Sequence, residues 1–101
     1  MDSDVDLVIV VNNVDPYLHD DTWIAPLGGA TMVRTRQWGQ SHERRFVLPS
    51  GLEVEAGFVT GHWTRTNPVD AGTRRVVTDG MHVIYDPHGT LAALQVACGE
   101  P

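Results

Sequence analysis

The sequence predicts an α+β fold in which a mixed β-sheet carries a few short helices. Three observations lead there. A β-branched run, Val8-Ile9-Val10-Val11, opens the chain. A period-two segment, residues 52 to 59, follows in the middle. Short helical patterns gather after residue 70, and no heptad or internal repeat is visible. With 101 residues the chain reads as one domain.

Residues 5 to 11 are nearly continuously apolar and predict a first strand buried on both faces. Asn12-Asn13-Val14-Asp15-Pro16 should break it, because Asn, Asp and Pro favour turns. A short helix is expected from Asp20-Asp21-Thr22 onward, limited by Pro26 and Gly28-Gly29. Residues 30 to 38 alternate, with Met32, Arg34, Arg36 and Trp38 on one side of a strand. Gly39-Gln40-Ser41-His42 turns the chain, and Glu43 to Leu48 returns as the second arm of a hairpin. After Pro49-Ser50-Gly51, Leu52, Val54, Ala56 and Phe58 alternate with Glu53, Glu55, Gly57 and Val59, which predicts a half-buried strand. An irregular segment follows from Thr60 to Asn67. Ala71 to Val77 suits a helix, Met81 to Tyr85 a strand, and Asp86-Pro87-His88-Gly89 a turn whose aspartate bonds backbone amides. Thr90 is positioned to cap a last helix over Leu91 to Ala97.

Composition narrows the function. The hydrophobic fraction of 42% and charged fraction of 20% suit a folded chain, not a disordered one. A formal charge of −6 argues against a nonspecific grip on nucleic acid. The longest apolar run, Leu7 to Val11, is too short to span a membrane, and the acidic start does not suit a signal peptide. A cytoplasmic location is expected. The single Cys98 reads as a small hydrophobe, and the five histidines show no paired ligand spacing.

The chemistry lies in the carboxylates. Asp4 and Asp6 are two positions apart at the mouth of the first strand, so they should project together, and hard divalent cations favour such oxygen donors. Glu53 and Glu55 share one side of the later strand. Each could equally be the solvated face of an amphipathic strand.

Ser3-Asp4-Val5-Asp6-Leu7 resembles the metal motif of the nucleotidyltransferase superfamily that includes DNA polymerase beta and the aminoglycoside nucleotidyltransferases. Gly51 to Val59 looks like the strand bearing that family's third carboxylate, and Asp79 to Pro87 like the late strand and turn of its small bacterial members. The resemblance implies Mg²⁺ held by Asp4, Asp6 and Glu55, with Glu53 the alternative third ligand. Ser3 would make a phosphate-side or cap-like hydrogen bond. The implied activity is transfer of a nucleoside monophosphate from a nucleoside triphosphate to an acceptor hydroxyl of unknown identity. Only Met1-Asp2 precede the motif, so the family's Gly-Ser segment, which grips the triphosphate, has no counterpart in this sequence. A catalytically impaired relative that binds nucleotide, metal or protein is therefore the alternative, and an unrelated α+β interaction module is a third. Trp63 could wall a pocket and Arg74 or Arg75 could reach a phosphate, although packing and surface exposure are the commoner uses of these residue types.

Overall fold

In a computed structural model of the chain, residues 5 to 99 are described, and they fall into two compact units divided between Thr60 and Gly61. The first unit is built on a four-stranded mixed sheet. Its strands are β1 (Val5–Val10), β2 (Thr31–Trp38), β3 (Ser41–Val47) and β4 (Glu53–Val59), in the order β1-β4-β3-β2. β1 runs parallel to β4, and the other two pairings are antiparallel. The β2–β3 hairpin closes through Gly39-Gln40, where Gly39 takes a φ of 53° that a side chain would resist. Between β3 and β4, Gly51 donates its N–H to the Leu48 carbonyl across Pro49-Ser50, forming the expected tight turn.

One sheet face is apolar. Phe46, Val54, Ala56 and Phe58 are buried there with Ile24, and Val5, Leu7 and Ile9 pack against them. A short helix α1 (Asp15–Leu18) and a 3₁₀ segment (Thr22–Leu27) cover this face. They bring Tyr17 into a stack on Phe58, with ring centroids 4.7 Å apart, and set Trp23 edge-on to both Phe58 and Phe46. Arg44 also lies on this face and is almost fully buried. It donates to the Tyr17 carbonyl and pairs with Asp21, tying β3 to the covering segment.

Five local expectations change. β1 is an edge strand, with Asp6, Val8 and Val10 exposed, so its apolar run does not reflect burial on both faces. β4 is the strand buried on both faces from Val54 to Val59, because it lies between β1 and β3. A bulge between Met32 and Arg34 inserts one residue into β2. Met32 therefore turns toward the core opposite Phe46, while Arg34 stands opposite Arg45 on the other face. The first helix begins at Asp15-Pro16, inside the expected break, because proline suits the first turn of a helix. The helix expected from residue 20 onward is a 3₁₀ segment that contains Pro26.

The second unit comprises a 3₁₀ turn (Gly61–Thr64) and the helices α2 (Ala71–Thr78) and α3 (Thr90–Gly99). Asp70 caps α2, accepting from the N–H groups of Gly72 and Thr73. The buried Thr73 hydroxyl donates to the Trp63 carbonyl at 2.9 Å. No strand forms over Met81 to Tyr85, and Ile84 and Tyr85 are exposed. These residues have no neighbouring strand to satisfy their backbone, and local alternation cannot supply one. The cap of α3 is the Asp86 carboxylate, which accepts from Leu91 and Ala92 at 3.0 Å each. The expected backbone bonding by Asp86 thus supplies the role expected of Thr90.

Candidate functional site

The second face of the sheet is polar, and strand register determines which charges meet there. Asp6 is the register partner of Glu55 in the parallel β1–β4 pair. Glu55 is in turn partnered by Arg45, and Arg45 by Arg34. Cross-strand partners share a face, so Asp6, Glu55, Arg45 and Arg34 form one row across all four strands. Residues two positions away extend the patch to Glu53, Glu43 and Arg36, and Trp38 lies two beyond Arg36.

Glu55 and Arg45 are buried, an unusual state for charged residues unless they are paired. Arg45 Nη2 donates to Glu55 Oε2 at 3.3 Å, and its Nη1 donates to Glu53 Oε1 at 3.0 Å. Burial opposes the charge on Arg45, but the hydrogen bond to Glu53 and the nearby Glu55 outweigh it, so its proton is held more tightly than that of a free arginine. Arg34 Nη2 lies 3.6 Å from the same Glu55 oxygen. Glu43 is one step along the face, 3.5 Å from Arg36 Nε. Burial and the neighbouring charge of Glu55 raise the Glu43 carboxyl above its ordinary range, and Arg36 offsets this only in part. The Arg36 guanidinium also covers the Trp38 ring, 4.9 Å from its centroid.

The two central candidates, Asp6 and Glu55, therefore stand side by side. Glu53 is not a register partner of Asp6: it is paired with Val47, and its side chain is more exposed than that of Glu55. Ser3 and Asp4 lie outside the described residues. Among the described residues, no group of three or more His, Cys, Asp or Glu side chains is arranged to hold a metal ion. Asp6 and Glu55 do place two carboxylates in register on one face, oxygen donors of the kind Mg²⁺ takes, and an ion held with phosphate oxygens and water needs only one or two carboxylates.

The sequence reading missed the arginines in this row. The signal for them was present, because a two-residue turn at Gly39-Gln40 places Trp38 opposite Ser41, and counting back places Arg36 opposite Glu43 and Arg34 opposite Arg45. Other candidates serve the fold. Trp63 is buried, and Arg74 Nη1 donates to the Cys98 carbonyl near the end of α3 at 3.1 Å, where a cation complements the helix dipole. Arg75 is exposed, and Cys98 is buried without a disulfide.

Comparison with known proteins gives no match to any family model, curated protein or solved structure. No helix among the described residues is long and apolar enough to cross a membrane.

Proposed function

We propose that this chain is a nucleotidyltransferase-like protein that uses Mg²⁺ to transfer a nucleoside monophosphate from a nucleoside triphosphate to an acceptor hydroxyl. The observation that carries this reading is the register partnership of Asp6 and Glu55 on parallel neighbouring strands. The two residues come from separate sequence segments, each singled out by the resemblance. Asp6 and Glu55 would hold the metal, together with Asp4. When bound, the ion would stabilise charge on the attacking and leaving oxygens. The acceptor oxygen bonds to the α-phosphorus as the bond to pyrophosphate breaks, and a carboxylate of the site takes the hydroxyl proton. Burial of Glu55 beside Arg45 fixes its orientation, which favours such a role.

A second reading is a catalytically impaired relative that binds nucleotide, metal or protein. It is favoured by the same ion pairs, since Glu55 Oε2 already faces two guanidiniums. Calorimetric titration with Mg²⁺ and a panel of nucleoside triphosphates, followed by labelled-nucleotide incorporation, separates the two. Binding and incorporation that are both lost in Asp6→Asn support the enzyme. Binding without incorporation supports the impaired relative, and absence of both defeats the metal-site reading.

A further inference from the structure

The two guanidiniums that face Glu55 Oε2 are held very differently. The Arg45 side chain is only 6% exposed and donates hydrogen bonds to both Glu55 and Glu53. The Arg34 side chain is 44% exposed on the edge strand β2, and its 3.6 Å approach to Glu55 is an ion pair longer than a hydrogen bond. Arg45 is thus a fixed part of the fold, whereas Arg34 can leave at little cost, because its charge is readily hydrated and half-exposed pairs are weak.

We propose that Arg34 is a displaceable counter-cation of Glu55, neutralising that carboxylate until a divalent cation takes its place. This rests on the reading that Glu55 helps hold a divalent cation. An ion entering beside Asp6 and Glu55 competes with Arg34 for the same carboxylate, while Arg45 keeps the carboxylate in position. Arg34 therefore weakens metal binding in the nucleotide-free protein. Removing a metal-positioning residue would have the opposite effect, so the sign of the change is diagnostic.

The test is titration of Mn²⁺ alone, without nucleotide, into the wild type and the Arg34→Gln, Arg34→Lys and Arg36→Gln variants. Thermal melts run in parallel show that each is folded. Arg36 is the control, because it lies two residues away on the same strand but pairs with Glu43. Arg34→Gln should tighten Mn²⁺ binding about two- to fivefold, the range a half-exposed ion pair is worth. Arg34→Lys, which keeps the charge, should stay near the wild type, and Arg36→Gln should gain less than Arg34→Gln. Unchanged or weaker binding in Arg34→Gln, or an equal gain in both glutamine variants, would overturn the counter-cation while leaving the metal site standing. Absence of saturable Mn²⁺ binding in both the wild type and Arg34→Gln would overturn the metal-site reading and this inference together. If Arg34→Gln does not fold, Arg34→Ala, which also removes the charge, takes its place with the same expected gain and the same overturning results.

Discussion

Asp6 and Glu55 are 49 positions apart in the sequence, yet they are direct register partners on parallel strands and share one face of the sheet. Asp6 is exposed at the sheet edge, and Glu55 is buried beside Arg45. An accessible carboxylate next to one held in place is the local arrangement on which the metal-dependent reading rests.

Divalent metal should stabilise the wild type. At ten times its dissociation constant, Mg²⁺ would add about 1.4 kcal/mol, or about 5–10 °C in Tm for a chain of this size. Asp6→Asn should abolish the shift, read against the metal-free melt of the same variant. Differential scanning calorimetry with and without Mg²⁺ reads both quantities, and an equal shift in Asp6→Asn would rule out a specific site there.

Arg44→Met should destabilise the first unit by about 2–3 kcal/mol, the range for losing hydrogen bonds to a buried charged group. The substitution keeps the apolar stem but removes the donor to the Tyr17 carbonyl and the partner of Asp21. Trp23 Nε1 still donates to that carbonyl at 3.1 Å, which limits the loss. Urea unfolding monitored by tryptophan fluorescence measures it, and a loss below about 0.5 kcal/mol would show that Arg44 is not a strut.

Gly57 lies in the middle of β4, where an added Cβ would come within 2.6 Å of Ser41 Oγ and 3.5 Å of the Leu7 carbonyl. Gly57→Ala should therefore cost about 1 kcal/mol, at the low end for overpacking, because a serine hydroxyl can rotate away. Adding Ser41→Ala should recover most of that loss. A double-mutant cycle by chemical denaturation checks the coupling, and strict additivity would show that the strain lies elsewhere.

Two carboxyls give opposite contributions to acid stability. Amide hydrogen bonds from Leu91 and Ala92 hold Asp86 below its ordinary value of 3.8. Its contribution is present above that value and is lost as pH falls through it toward the lower folded pKa. Burial raises Glu43 above 4.5, so its ionisation weakens the fold as pH rises from that value through the folded pKa. The stability of Glu43→Gln relative to the wild type should therefore increase as pH is raised from about 4 to 7. Asp86→Asn should lose its deficit only below pH of about 4. Urea midpoints across this range test both, and a flat difference for either variant would contradict its assignment.

Strands that rest on strong local signals are legible in the sequence. Two-residue alternation and turn chemistry located β2, β3 and β4, since Gly39 and Gly51 permit turns that side chains resist. The amide-bonding role of Asp86 was likewise a local matter. Tertiary structure alone decided which strand was central, because an apolar run such as Val8 to Val11 reads the same at an edge as in the middle of a sheet. It also decided that the bulge before Arg34 would turn Met32 to the core, away from the face that Arg34 shares with Glu55, and that Met81 to Tyr85 would find no strand to pair with. Alternation is a property of neighbouring residues, whereas strand order and register depend on hydrogen bonds between segments far apart in the chain. That is why Asp6 and Glu55 could be marked separately from the sequence, while their pairing, and the meeting of Glu55 with Arg45 and Arg34, emerged only when β1 and β3 were assembled on either side of β4.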